Sequence, residues 1–205
     1  MDGARKLLVT GAGGFVAGSV IAAALNEHEI HAVSRGNPIL CHPNLKWYTL
    51  DLLDTSSVAE LFKQTDPHAV VHTAALANID VCEKDPALAR RINVEMTALV
   101  AEMSAKHGAR LVYCSTDNVF DGRHAPYTEN DEPCPVNVYG QTKSEAERLV
   151  MNVSRGAVVA RLAFVVGLPL FGNGESFLTR VIRAIVSGEK LCAPHDEYRT
   201  PIDVV

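Results

Sequence analysis

Short apolar runs rich in β-branched residues alternate along this chain with longer segments in which apolar residues recur at helical spacing. The runs Lys6 to Thr10, Ile30 to Ser34, Trp47 to Leu50, Ala69 to Thr73, Arg110 to Ser115 and Val158 to Leu162 each predict a strand. Segments at about 15–26, 55–64, 86–107, 137–153 and 175–187 predict helices between them. Parallel strands need crossovers of that length, so the alternation predicts an α/β fold built on a doubly wound parallel sheet. The third helix begins at Pro86, a residue suited to a first turn. It ends at Lys106-His107-Gly108, with positive charge in the last turn and glycine just beyond. The stretch from Thr116 to Pro135 has no period and holds Asp121-Gly122, Pro126, Pro133 and Pro135. A loop of that length inside a compact domain points to function, given the chemistry on both sides of it.

The first predicted strand runs directly into Gly11-Ala12-Gly13-Gly14-Phe15-Val16-Ala17-Gly18 and then into a helix. A helix N-terminus offers free N–H groups and partial positive charge, and glycines let the backbone approach a pyrophosphate closely. Strand, glycine turn and helix in this order predict a dinucleotide site in a Rossmann-type sheet, contacted by Gly11, Gly13, Gly14, Phe15 and Val16. Where an NAD site carries an acid at the end of the second strand, this chain has Ser34-Arg35. An arginine pairs with a 2′-phosphate that an acid would repel, so NADP(H) is favoured and NAD(H) remains an option. After the third strand, Asp51-Leu52-Leu53-Asp54 offers a carboxylate to an adenine amino group. Asp54 reads equally well as the cap of the next helix.

At 205 residues the chain fits one domain with a small appendage, taking about 150 residues per domain. Its 47% hydrophobic and 21% charged residues suit a soluble globular protein. A net charge of -5 gives no global field to attract nucleic acid or anionic lipid. The five cysteines, Cys41, Cys82, Cys114, Cys134 and Cys192, are scattered and odd in number, which predicts neither a disulfide framework nor a zinc site. Arg161 interrupts the longest apolar stretch, so no membrane span is expected and the cytoplasm is the default location. Arg5 and Lys6 ahead of Ala22-Ala23-Ala24 imitate a secretory leader, but the intervening glycines break its apolar core. His68 and His72 lie on or beside one strand without a third ligand and read as structural, as does Cys114. The other histidines, including His195, show no ligand spacing. Glu145 and Glu147 read as solvent-facing partners of basic neighbours.

Tyr139 and Lys143 stand four apart at the start of a predicted helix and therefore share a face. A phenol is a poor acid at neutral pH, but a fixed ammonium beside it draws its pKa toward the working range. Cys114-Ser115-Thr116-Asp117 leaves the end of a strand, where open α/β sheets place ligands.

Together with the glycine turn, Ala74-Ala75, Asp80, Cys82, Glu83, Asn93 and above all Ser115-Thr116-Asp117-Asn118-Val119-Phe120-Asp121-Gly122, these residues resemble the extended short-chain dehydrogenases/reductases. Within that superfamily they look most like the dTDP-4-dehydrorhamnose reductase group. The resemblance implies that Tyr139 donates a proton to the substrate carbonyl as hydride arrives, that Lys143 lowers its pKa and holds the nicotinamide ribose, and that Thr116 hydrogen-bonds the same oxygen. It implies further cofactor contacts at Ser34, Arg35, Asp51, Leu52, Ala74, Ala75, Asn93 and Ser115, and substrate contacts at Asn118 and Phe164. Ala17 replaces the usual third glycine, and Asn118 stands where members of that group typically carry Tyr. The Asp117-Asn118 pair lacks the acid that dehydratases use.

Residues 1–162 then form the NAD(P)-binding and catalytic domain. Residues 163–205 begin a substrate lobe that family members continue well beyond Arg199-Thr200-Pro201-Ile202-Asp203. The implied activity is NADP(H)-dependent reduction of a nucleotide-linked 4-keto-6-deoxysugar, the sugar nucleotide being the small-molecule partner; a homodimer is left open. Two alternatives use the same residues. One is an epimerase or another ketone reductase. The other is a non-catalytic subunit resembling the regulatory β subunit of methionine adenosyltransferase.

Overall fold

In the computed structural model, which describes residues 5–171, 176–191 and 199–204, six parallel strands form one sheet in the order β3-β2-β1-β4-β5-β6. They are β1 (Lys6–Thr10), β2 (Glu29–Ser34), β3 (Leu45–Thr49), β4 (Ala69–His72), β5 (Arg110–Thr116) and β6 (Val158–Leu162). Chain order reverses between β1 and β4, the switch point at which such sheets open a crevice at their carboxyl ends. Cys192 and His195 lie outside the described residues.

The helices are α1 (Phe15–Ala24), α2 (Thr55–Thr65), α3 (Ile79–Lys84), α4 (Pro86–Arg90), α5 (Met96–Lys106), α6 (Val138–Val153) and α7 (Phe177–Ser187). Alternate residues of β1 supply two cores, as a strand's two-residue period requires. Leu8 joins Val58 and Phe62 of α2, Val100 of α5 and Val150 of α6 on one face. Val9 joins Ala17 and Ile21 of α1 with Ile30 and Ala32 of β2 on the other. Each fully buried Leu, Ile or Phe contributes about 1.5–3 kcal/mol.

The sheet follows the apolar runs to within two residues at each end, and several local features depart from them. The expected helix over 86–107 is three pieces: α4, a π-helical turn at Arg91–Glu95, and α5. The Met96 N–H reaches back to the Arg91 carbonyl, five residues earlier. Helix α3 is too short for an apolar period to mark it. It starts at Asn78, whose side chain accepts from the Val81 N–H. The three-residue strands β7 (Phe164–Val166) and β8 (Pro201–Asp203) pair in a separate parallel ribbon. Ser176 closes a capping box on α7, and that helix buries little of its apolar face, leaving Ile185 and Val186 exposed. No helix among the described residues is long and apolar enough to cross a membrane.

The two histidines of the β4 region serve the sheet. His68 Nδ1 accepts from the Lys6 N–H at 3.1 Å. His72 is fully buried, with Nδ1 2.7 Å from Thr10 Oγ1, Nε2 3.1 Å from Thr97 Oγ1, and its ring stacked on Tyr113. It ties β4 to β1 and α5 at once. Burial, with a smaller effect from Lys143, pushes its pKa down to about 3. A base whose folded pKa lies below its unfolded value takes up its proton first in the unfolded chain. Stability therefore falls as pH drops from about 6.5 toward 3, by up to about 1.4 kcal/mol per pH unit from this group. Denaturant unfolding across that range is expected to show the slope, and His72→Gln to flatten it.

Candidate active site

A groove of about 580 Å³ opens at the carboxyl ends of the strands, beside the switch point. Its floor is the glycine turn. Gly11 has φ +67°, and a Cβ there would stand 2.8 Å from both the Ala74 nitrogen and Thr73 Oγ1, so the turn and the segment just after β4 close up only around glycine. At Gly13 a Cβ would meet nothing within 4 Å, because that side faces the opening. Gly14 is the N-cap of α1, and no side chain caps the helix there. An uncapped helix start beside an open cradle suits an anionic diphosphate.

Of the expected cofactor contacts, Gly11, Gly13, Gly14, Phe15, Val16, Ser34, Arg35, Asp51, Leu52, Ala74, Ala75, Ser115, Tyr139 and Lys143 all line this groove. Arg35 is exposed at the rim and makes no ion pair among the described residues. Ser34 Oγ donates to the Gly36 carbonyl at 3.1 Å. Asp51 Oδ1 accepts from the Leu53 N–H at 3.0 Å. Asp54 is the cap of α2: hydrogen bonds from the Ser56 and Ser57 side chains and from backbone N–H groups hold its pKa near about 2.

Helix α6 carries the reactive pair. Asn137 Oδ1 accepts from the Gly140 N–H, and Glu83 Oε1 of α3 accepts from the Val138 N–H at 2.8 Å, so the first turn is fixed from two sides. A Cβ at Gly140 would overlap the Asn118 carbonyl oxygen and crowd Pro135, which shows how closely the helix rides on the loop after β5. Nothing in the sequence pattern had singled out Gly140. Lys143 is buried, its Nζ donating to the Cys114 carbonyl at 2.7 Å and lying 4.2 Å above the centroid of the Tyr113 ring. Burial lowers its pKa to about 8.

The expected depression of the Tyr139 pKa is absent. Burial pushes the phenol up to about 12, and the neighbouring Thr116 hydroxyl opposes that only in part. The Lys143 ammonium is engaged by the Cys114 carbonyl and the Tyr113 face, so desolvation governs the phenol in the free protein.

Three of the expected contact residues are outside the groove lining. Asn93, in the π turn, is fully buried. Its Oδ1 accepts from the Leu76 N–H at 2.8 Å, and its Nδ2 donates to the Leu76 carbonyl and to Thr142 Oγ1 of α6. It is a strut between the groove wall and α6 and does not line the groove. Asn118 turns its amide inward, donating from Nδ2 to Thr116 Oγ1 at 3.1 Å and to Asp117 Oδ1 at 3.0 Å. It braces Thr116. Phe164 packs edge-on against Phe177 within the β7 and α7 region and is not among the groove-lining residues.

Ser115 contributes to the groove lining, but its hydroxyl donates to Glu147. Glu147 itself is buried between Ser115 and Arg161, not solvent-facing, whereas Glu145 does make a surface pair with Arg90. Cys114 is half-buried in the groove wall, and burial raises its thiol pKa. Cys82 Sγ donates to the Leu76 carbonyl.

Known proteins share this arrangement. The sequence profile of the RmlD substrate binding domain matches residues 5–205. Methionine adenosyltransferase 2 subunit beta of Rattus norvegicus is 37% identical over 163 residues, covering 80% of this chain and 48% of that protein. The probable low-salt glycan biosynthesis reductase Agl14 of Haloferax volcanii is 33% identical over 160 residues, covering 78% of this chain and 53% of its own length. The chain thus spans about half the length of the curated relatives it matches. Among solved structures, dTDP-4-dehydrorhamnose reductase from Bacillus anthracis in complex with NADP superposes with a TM-score of 0.76 at 28% identity, over 90% of this chain and 60% of that one. The Bordetella bronchiseptica enzyme WbmG in complex with NAD shares the fold, with a TM-score of 0.83 at 24% identity over 98% of this chain and 66% of that one. A profile match over nearly the whole chain, on a doubly wound sheet with its glycine turn and Tyr-Lys pair, places this chain in the RmlD family of the extended short-chain dehydrogenases/reductases.

Proposed function

We propose that residues 1–162 bind NADP(H) and carry the catalytic groups of a reductase acting on a nucleotide-linked 4-keto-6-deoxysugar, and that residues 163–205 begin the lobe that holds the sugar. The observation that carries this reading is that one groove joins Arg35 and the uncapped start of α1 at one end to Tyr139 and Lys143 at the other. When bound, the dinucleotide supplies the hydride. Arg35 pairs with the 2′-phosphate, the N–H groups at the start of α1 take the diphosphate, and Ala74 and Ala75 let the chain pass close beneath it. NAD(H) would use the same cradle without the Arg35 contact.

Lys143 holds the ribose and supplies fixed positive charge beside the reacting oxygen. Tyr139, pushed up to about 12, is a neutral phenol at physiological pH. That state suits a donor: it releases its proton to the carbonyl oxygen as negative charge develops there, with Thr116 Oγ1 hydrogen-bonding the same atom. The 28% identity to the Bacillus anthracis reductase supports the substrate class.

A second reading rests on the higher identity, 37%, to methionine adenosyltransferase 2 subunit beta. In it the groove binds the dinucleotide without turnover and the chain docks on a catalytic partner.

NADPH oxidation with a dTDP-4-keto-6-deoxyhexose separates the two. Turnover is expected, and Tyr139→Phe is expected to lower kcat by about 10²–10⁴-fold while leaving NADPH affinity within about twofold. Tight NADPH binding without turnover by the wild type, together with co-purification of a methionine adenosyltransferase, would favour the regulatory reading. Arg35→Ala is expected to weaken NADPH about tenfold or more, measured by titration calorimetry, and to leave NADH nearly unchanged. Because Lys143 sits at about 8 and must be cationic, NADPH affinity is expected to fall as pH rises through that value.

A further inference from the structure

Buried Glu147 and partly buried Arg161 form a pair that the proposed chemistry does not use. Arg161 of β6 presents Nε at 3.1 Å and Nη2 at 2.8 Å to Glu147 Oε2, a forked contact, while Ser115 Oγ of β5 donates to Oε1. The other side of the guanidinium lies 5.0 Å from the Phe120 ring centroid, and Phe120 stacks on Tyr127 at 4.2 Å. Arg161 Nη1 also reaches the Asp131 carbonyl at 3.5 Å. Ser115 and Phe120 bracket Thr116. One ion pair therefore grips the segment that carries Thr116 at both of its ends, through Glu147 on one side and Arg161 on the other.

The pair also faces the reactive helix from within. Tyr139, Lys143 and Glu147 follow one another at intervals of four on α6, hence on a single face. We propose that Glu147 and Arg161 are positioning residues of the site, clamping the Ser115–Phe120 segment so that Thr116 meets Tyr139, and setting a fixed carboxylate behind the Lys143 ammonium.

The charged and titratable groups around Lys143 are Tyr113 and Cys114 on β5, His72 on β4, and Tyr139 and Glu147 on α6. His72 is neutral in the buried state, and burial holds the Cys114 and Tyr113 protons in place. Cys114 and, after it, Glu147 are the neighbours whose negative charge would oppose the effect of burial on Lys143, and a protonated Cys114 leaves Glu147 in that place. A buried carboxylate of this kind needs its own cation, which explains why Arg161 is forked onto it.

The turnover part of the test rests on the proposed reductase activity; the titration part does not. In the full chain with isotope-labelled lysine, the Lys143 Nζ resonance is followed by NMR against pH. Glu147→Gln keeps the shape and removes the charge, and is expected to move the Lys143 midpoint down by about half a pH unit or more. Glu147→Asp restores the charge and is expected to return it most of the way. An unmoved midpoint in a folded Glu147→Gln protein overturns the electrostatic half of the proposal, whether or not the wild type turns over.

Arg161→Lys keeps the cation and loses the fork. It is expected to lower kcat about tenfold with NADPH affinity within about twofold, the signature of a misplaced Thr116. It also serves if Glu147→Gln does not fold. Unchanged kcat in Arg161→Lys, against an active wild type, overturns the positioning half. A wild type that binds no dinucleotide would fail the reductase reading while leaving the titration result to stand on its own.

Discussion

A protonated amine buried at the carboxyl end of β5 sets the terms for everything near it. Removing a charge from water costs several kcal/mol unless its surroundings replace the lost solvent. For Lys143 the replacement is one backbone carbonyl and the face of Tyr113, with the proposed carboxylate of Glu147 one helical turn further along. Each of these sits on a different support. The carbonyl belongs to the strand end, the ring is pinned against His72 in the core, and the carboxylate is held by β6. Sheet, helix and core must therefore agree before the ammonium is satisfied, and an agreement of that kind is also what a rigid site requires.

The first turn of α6 meets the same demand from the opposite direction. Asn137 and Glu83 satisfy its free N–H groups, Asn93 holds it through Thr142, and Gly140 lets the backbone settle against the Asn118 carbonyl. None of these residues reaches the groove, yet together they fix where Tyr139 and Lys143 stand. Asn137 and Glu83 do this work because their partners are backbone N–H groups left over at the helix start.

Much of this fold was legible in the sequence, since apolar period and strand length are local properties. The six strands and the glycine turn stood out because a buried parallel strand and a Gly-rich helix start each leave a compact signature. Residues whose role depends on a distant partner did not stand out. Glu147 follows Glu145 by two positions in a polar helix, and only Arg161 and Ser115 make one of them interior. Asn118 and Phe164 carry side chains suited to a ligand, and their protein partners, Thr116 and Phe177, could not be read from the sequence. The phenol of Tyr139 was expected to feel its neighbour's charge, and burial governs it instead. The π turn left the apolar pattern of the long helix almost intact, so a single extra residue within it gave no warning.

That extra residue is absorbed where it stands. An α-helix advances about 100° per residue, and a π turn fits one residue more into about the same rotation, so the phase of the sequence shifts by one across it while the helix on each side keeps its direction. Helix α4 can keep Arg90 on the surface against Glu95 and Glu145, while α5 aims Thr97 and Val100 into the sheet. Removing one residue from Arg91–Glu95 would leave a regular helix with both flanking faces kept, but without the widened turn that carries Asn93. The extra residue is thus spent on one inward amide, and the helix on either side is indifferent to it.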